Sequence, residues 1–325
     1  MEVSNSKIKA WRRCHKMFHY KYNEKIEKKK PEAPLIKGKI IHEIIETSLN
    51  GGDWKEVLDD YHKVYKNLFL EEQEVYGNLI EELTQIMEQY FQYYQDDLEY
   101  LEGEGGKKAE FNFELPLTDG LVFEGVVDSV GRDDQGRVWL VERKTFKKNI
   151  PSETVRFTDV QTSLYYWALP SFGFPQPDGI LWDYIRTKPP AIPQVLKSGR
   201  LSQRENIDTT REVYYQAIVD NGEDPEHYAK ILNLLEGRED RFYRRIYLPA
   251  PDPIVQQIIA DLKQTALEIK HLGDTASARN ITRDCDWCSY YSLCQAELRG
   301  LDVEFIRERE YKPRKEEYSD EDSQT

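Results

Sequence analysis

Asp128, Glu142 and Lys144 fall within 17 consecutive residues, and their chemistry depends on whether the chain brings them together. The runs 121–130 and 137–144 both read as strands, joined by the turn-forming Asp133-Asp134-Gln135-Gly136. A hairpin centred on Gln135 sets Asp128 opposite Glu142, where cross-strand partners lie roughly 4.5–5.5 Å apart at Cβ. Lys144, two residues further on, shares that sheet face. Two acidic oxygen ligands suit Mg²⁺ or Mn²⁺, which keep waters and accept phosphate oxygens. A lysine beside them could orient an attacking water or stabilise charge developing on a phosphate. A surface ion pair on a hairpin would give the same short pattern. Against that, Val126-Val127-Asp128-Ser129-Val130 sets the acid among residues suited to a core strand, and a buried acid needs a partner or a metal.

Further side chains could extend this site. His42 borders an apolar helix face, one turn from Glu46, as either a third ligand or a hydrogen-bonded packing residue. Gln161 and Tyr165 stand at i and i+4, where they could hold a phosphate or simply be helix surface. The four cysteines are Cys14, Cys285, Cys288 and Cys294, three of them spaced C-x2-C-x5-C. In an intracellular chain such a group reads as a metal or cluster site before disulfides. Spacing alone leaves a [4Fe–4S] cluster and a structural Zn²⁺ on equal terms, with Cys14 as a buried free thiol the remaining reading.

Periodicity defines the elements that must position these groups. Asn5 to Lys30, rich in basic and aromatic residues, reads as helical, and Arg12, Arg13, Lys16 and Tyr20 suit single-stranded nucleic acid, since bases stack on aromatic faces. The same segment would serve equally as a packing helix around the cysteines. Ile40, Ile41, Ile44, Ile45 and Leu49 share one helical face, and Asn50-Gly51-Gly52 ends that helix. A second helical stretch runs from Trp54 to Leu101. Beyond Gly103-Glu104-Gly105-Gly106, Phe111 to Leu117 alternates as a strand, opened by Glu110. A helix over Thr158–Leu169, a strand over Gly179–Arg186, an irregular basic stretch, a strand over Arg241–Leu248 and a helix over Ile254–His271 lead to the cysteines.

In chain order, Gly38-x3-His42, Gly125-x2-Asp128, Glu142-Arg143-Lys144-Thr145 and Gln161-x3-Tyr165 resemble the motifs of the PD-(D/E)XK nuclease superfamily, specifically its RecB-like branch. With Cys14 upstream and C-x2-C-x5-C downstream, the chain is also similar to that branch's iron–sulfur nucleases. These comprise the CRISPR-associated iron–sulfur exonucleases, the AddB-type nuclease domain and stand-alone phage relatives. The resemblance spans Ser4 to Leu298, departs from the superfamily's proline at Val127, and leaves Pro189 to Glu239 unmatched.

The resemblance implies an α/β fold: a restriction-endonuclease-like mixed sheet flanked by helices, with an N-terminal helical region and a C-terminal iron–sulfur segment. The spans it suggests are 1–104 for the helical region with Cys14 and His42, and 105–187 for the nuclease core. An irregular and helical extension over 188–280, an iron–sulfur segment over 281–300 and a disordered charged tail over 301–325 follow. It implies Mg²⁺ or Mn²⁺ held by Asp128, Glu142, His42 and the Arg143 carbonyl, with Glu110 in support. Lys144 would position or activate the hydrolytic water, Gln161 and Tyr165 would contact DNA near the scissile bond, and attack would leave a 5′-phosphate and a 3′-hydroxyl. It favours [4Fe–4S] over zinc at the cysteines. The implied substrate is single-stranded or end-opened DNA, in recombination, repair or replication, alongside a helicase, recombinase or integrase. An inactive accessory subunit of such a complex, or a structural zinc protein, would leave the intact Asp128, Glu-x-Lys and Gln161 unexplained.

A formal charge of −14, taken alone, argues against a polyanionic substrate. Salt screens charges beyond about 8 Å, however, so local distribution decides. Residues 71–104 carry eleven acids and no Lys or Arg, the last ten residues carry five acids, and Lys7 to Lys30 has a local +8. The expectation is that the acidic stretch faces away from DNA or meets a basic partner. No apolar run approaches the roughly 18 residues needed to cross a bilayer, and no secretory leader is evident, so a soluble protein of bacterial, archaeal or phage-infected cytoplasm is expected, with no membrane partner.

Overall fold

The computed structural model describes residues 1–29, 33–67, 73, 77–95 and 98–314. Among them are strands β1 (Glu2–Val3), β2 (Ile26–Lys28), β3 (Glu99–Tyr100), β4 (Ala109–Pro116), β5 (Val122–Arg132), β6 (Val138–Phe146), β7 (Gly179–Arg186), β8 (Tyr243–Pro249) and β9 (Tyr311–Pro313). The β5–β6 hairpin organises the rest. The Asp133 carboxylate accepts the backbone N–H groups of Gln135 and Arg137, and Gly136 takes a φ of 78° that other residues resist. That turn fixes the antiparallel register, pairing Ser129 with Val141 and Arg132 with Val138, so the hairpin is centred on Gln135 as expected.

Seven strands form one mixed sheet along the path β1-β5-β6-β7-β8, with β3 and β4 on the other edge of β5. β6 and β7 run parallel, with Glu142 beside Trp182 and Lys144 beside Tyr184, and β8 returns antiparallel to β7. Helices cover both faces. Asn5–Arg13, Val160–Ala168 and Asp252–Leu272 share a core with Val127, Leu140, Trp182 and Tyr184. Ala33–Leu49, Trp54–Lys66 and Leu79–Tyr93 bury Ile40, Ile41, Ile44 and Ile45 with Ile185 and Tyr243. Each isoleucine so buried is worth roughly 1.5–3 kcal/mol before entropic costs. This is the mixed, helix-flanked sheet that the sequence led us to expect.

Several elements differ from expectation. Among the described residues, the Trp54–Leu101 stretch holds the helices Trp54–Lys66 and Leu79–Tyr93, and Glu99–Tyr100 pairs with Arg132 and Gly131 as strand β3. Residues 68–72, 74–76, 96 and 97 of that stretch lie outside the described residues. The N-terminal helix breaks after Arg13, where Cys14 is extended at φ −168°, and the segment ends as β2. Within 189–239, Arg211–Asp220 and Ala229–Leu235 form helices around Tyr214, Ile218, Tyr228 and Ile231. The charged tail is not wholly irregular either. Val303–Glu310 is helical and β9 pairs antiparallel with β2, because Tyr311 buries its ring against Tyr290. Residues 315–325, including the final acidic run, lie outside the described residues. No described helix is long and apolar enough to cross a membrane.

Candidate active site

The β5–β6 ladder stops at the Ser129–Val141 pair, so Asp128 and Glu142, next in register, lie where the strands part. The expected direct cross-strand pairing is thus corrected. In its place Asp128 Oδ2 accepts the Arg143 backbone N–H at 2.5 Å. Val127 and Val130, which strict alternation would send to opposite faces, join the same core. The sheet is irregular at the acid itself, as sheets often are beside active sites.

Opposite Asp128, β4 contributes Glu110 with φ +54°, a left-handed conformation that costs a non-glycine residue of order 1–3 kcal/mol. His42 Nδ1 lies 3.5 Å from Glu110 Oε1 and 3.7 Å from Asp128 Oδ1. One ligand atom from each of these three lies within 4.8 Å of the others. Glu110 therefore lies beside Asp128 and His42. Only its strained backbone brings it there, and nothing in the sequence announces that strain. Gly38 explains how the helix comes so close: a Cβ there would sit 3.3 Å from Thr145 Oγ1 on β6, one turn before His42.

Glu142 is fully buried, with Lys144 Nζ at 2.6 Å from its Oε1. The approach is close but not aligned, and neither carboxylate oxygen has a properly directed hydrogen bond. Burial pushes the Glu142 carboxyl up, Lys144 pulls it down, and Asp128 adds to the rise. Burial alone would lower Lys144, but Glu142 and Asp128 outweigh it and hold the ammonium above its ordinary value. Two buried carboxylate oxygens without directed partners, next to a His–Glu–Asp trio, are a donor set that suits a hard divalent cation.

On the other side of β6, Arg143 is buried with its guanidinium 4.0 Å from Asp183 and 3.3 Å from the Tyr100 hydroxyl. Asp183 also faces Arg245 at 3.4 Å and accepts from the Tyr90 hydroxyl. This buried network, which sequence reasoning missed, fixes the residue whose N–H holds Asp128. Charged residues in adjacent strands were the available signal.

Other expected contacts lie elsewhere. Gln161 and Tyr165 are buried, not presented to DNA: Gln161 accepts from Asn5 at 3.1 Å and donates to Tyr165 at 3.2 Å. Tyr165 packs edge-on against Phe113, and both rings occupy the space that a side chain on Gly125 would need. The basic N-terminal residues are also committed. Arg12 donates to Thr265 and the Asp261 carbonyl, Arg13 to the Asp284 carbonyl, and Lys16 pairs with Glu297 at 2.9 Å. Tyr20 is fully buried, stacked on Tyr290, so no ring face is free for a base. Within the acidic stretch, Glu82, Glu88, Glu99 and Glu102 meet Lys37, Lys55, Arg132 and Lys108 of the chain itself. Cys14, Cys285, Cys288 and Cys294 line one cleft as free, half-buried thiols. The Cys14 sulfur accepts the Asn280 backbone N–H at 3.4 Å and the Cys294 sulfur accepts the Arg279 side-chain Nε–H at 3.3 Å.

No curated protein matches the chain. One solved structure, "Crystal structure of SSO0001", is similar over 91% of this chain and 86% of that chain, at 15% identity and a TM-score of 0.33. The family model described as "PD-(D/E)XK nuclease superfamily" matches residues 2–295. A match across that much of 325 residues makes this chain a member of the PD-(D/E)XK nuclease superfamily.

Proposed function

We propose that the protein is a Mg²⁺- or Mn²⁺-dependent DNA nuclease, an exonuclease acting on single-stranded or end-opened DNA, and that it carries a [4Fe–4S] cluster. The observation that carries the nuclease reading is Glu142: a fully buried carboxylate with no directed hydrogen bond, 2.6 Å from a lysine and close to the His42–Glu110–Asp128 trio. Asp128, Glu142, His42 and Glu110 would hold the cation, with the Arg143 carbonyl as a further oxygen. When bound, a divalent cation supplies positive charge for phosphate oxygens and acidifies water. Lys144, whose proton Glu142 and Asp128 hold in place, acts as a donor that orients the attacking water. Arg143 N–H fixes one oxygen of Asp128, leaving the other toward His42. Attack would leave a 5′-phosphate and a 3′-hydroxyl, in a recombination, repair or replication setting with a helicase, recombinase or integrase alongside.

For the cysteines, the support is that Cys14, Cys285, Cys288 and Cys294 line one cleft, where four thiolates could hold a [4Fe–4S] cluster or a Zn²⁺, and the resemblance favours the cluster. Such a cluster would tie the Cys14 region to residues 285–294 and act structurally.

The test is incubation of end-labelled single- and double-stranded DNA with Mg²⁺ or Mn²⁺, beside Glu142→Ala and Lys144→Ala. Wild-type protein should degrade DNA and both variants should not. Intact DNA with the wild type, or equal degradation by the variants, refutes the nuclease reading. Anaerobically purified protein should contain iron and absorb broadly in the visible, whereas stoichiometric zinc without iron refutes the cluster.

A further inference from the structure

The parallel β6–β7 register puts Trp182 beside Glu142 and Tyr184 beside Lys144, and side chains so paired project from the same sheet face. Arg156, on the short helix Glu153–Phe157, lies over these two neighbours. Its guanidinium carbon is 4.3 Å from the Trp182 ring centroid and 5.4 Å from that of Tyr184, and its Nε donates to the Tyr184 hydroxyl. Among the described residues no carboxylate lies within 4.0 Å of Arg156, and its two terminal nitrogens donate to nothing. Of the two acids three residues away, Glu153 on the same helix forms no ion pair with it, and Asp159 caps the next helix, where it accepts the Thr162 N–H at 3.1 Å. Arg156 is only half-buried, so a ligand can reach it. Lys147 and Lys148, just beyond β6, are exposed and form no ion pair among the described residues.

A buried or half-buried cation normally has an anionic partner. This one is held rigidly by aromatic rings, with its planar fork of donors unspent, which is the arrangement that binds phosphate oxygens bidentately. Because β6 and β7 are adjacent, the fork sits one strand from the Glu142–Lys144 pair. We propose that Arg156 is a phosphate-binding residue, gripping a non-bridging oxygen pair of the nucleic-acid strand that lies across Glu142 and Lys144. The inference rests on the nuclease reading and adds to it a residue that lies in none of the motifs above. A rigid arginine here would fix the strand's register against Lys144, while Lys147 and Lys148 extend the positive edge along the backbone.

The test combines cleavage kinetics with binding of a fluorescent single-stranded oligonucleotide, measured in chelator across a range of salt, for wild type, Arg156→Ala, Arg156→Gln and Arg156→Lys. Arg156→Ala should lose roughly ten- to a hundred-fold in kcat/KM, as expected of a charge-assisted hydrogen bond. Its plot of log affinity against log salt should be shallower by about 0.7, the contribution of one single-strand phosphate contact. Arg156→Lys should restore the slope while recovering only part of kcat/KM, because an ammonium cannot reproduce the fork. Arg156→Gln, which keeps a donor for Tyr184, stands in if the alanine variant fails to fold. An unchanged salt slope in Arg156→Gln overturns the inference, and a lowered melting temperature with unchanged slope identifies a brace instead. Wild-type protein that leaves DNA intact refutes the nuclease reading separately. In that event, a shallower slope for Arg156→Gln would still support the phosphate contact.

Discussion

Replacing Lys144 by methionine isolates the electrostatics of the site. Glu142 is fully buried, its close cation is Lys144 at 2.6 Å, and its oxygens have no directed hydrogen bond. Burial already raises its carboxyl, and Lys144 is the main influence lowering it. Without Lys144 the carboxyl rises further. A carboxyl raised on folding binds more protons in the folded than in the unfolded state, so stability is complete below the unfolded value of about 4.3 and is lost as pH rises through the folded value. The variant should therefore resemble wild type near pH ~5. Because the wild-type carboxyl is itself raised to about 7, the variant falls behind only above that, by at most ~1.4 kcal/mol per pH unit, and so by about 1.4 kcal/mol near pH ~8. Urea unfolding of metal-free protein at the two pH values measures this. Adding Glu142→Gln to Lys144→Met should remove the pH dependence and restore most of the loss. A Lys144→Met variant as stable as wild type near pH ~8, or one whose loss is the same at both pH values, refutes the reasoning.

Mn²⁺ or Mg²⁺ should raise the melting temperature of the wild type, with stabilisation of about 2.7 kcal/mol at a hundredfold excess over Kd. Asp128→Ala and Glu110→Ala should each reduce that shift, and an unaltered shift in Glu110→Ala removes Glu110 from the site. Gly125→Ala would force a Cβ to within 2.8 Å of Tyr165 and 2.9 Å of Phe113, and should cost about 1–3 kcal/mol in chemical denaturation. Phe113→Leu should relieve part of it, and a neutral Gly125→Ala contradicts the close packing. Asp183→Asn removes a buried anion that faces both Arg143 and Arg245 and should cost about 3–5 kcal/mol, with lower cleavage even under conditions where the variant is fully folded. Full cleavage by folded Asp183→Asn would show that the network does not steady Asp128.

What the sequence disclosed was local. The turn at Asp133–Gly136 counted out the β5–β6 register, and so placed Asp128 and Glu142 at the same level, because a tight turn fixes every pair that follows. The helix bearing His42 was legible from its isoleucine stripe. The divergence of the strands beyond Ser129 was not, since it depends on the Arg143 N–H choosing a side chain over a backbone carbonyl. Glu110 stayed hidden for a similar reason: its positive φ is imposed by its neighbours in space. Tyr20 and the basic residues beside it looked like a nucleic-acid surface because composition cannot distinguish a ring that will stack on a base from one that will stack on Tyr290. β1 and β9 are too short to carry a periodic signal.

The union of the chain's beginning and its far end has a consequence for how the molecule is made. Ile26 accepts from the hydroxyl of Tyr290, 264 positions later, and Lys29 bonds to Glu310 just after β2 meets β9. These are contacts of very high sequence separation, which form late because the intervening loop must be closed first. During synthesis the β5–β6 hairpin can assemble as soon as it leaves the ribosome, whereas Tyr20 keeps an open apolar face until residue 290 arrives. At about 5–20 residues per second, that leaves an interval on the order of ten seconds or more in which the first helices are unfinished. The cysteine-bearing end is thus the step that completes the fold, and a chain cut short before it would keep its acids and lose its closure.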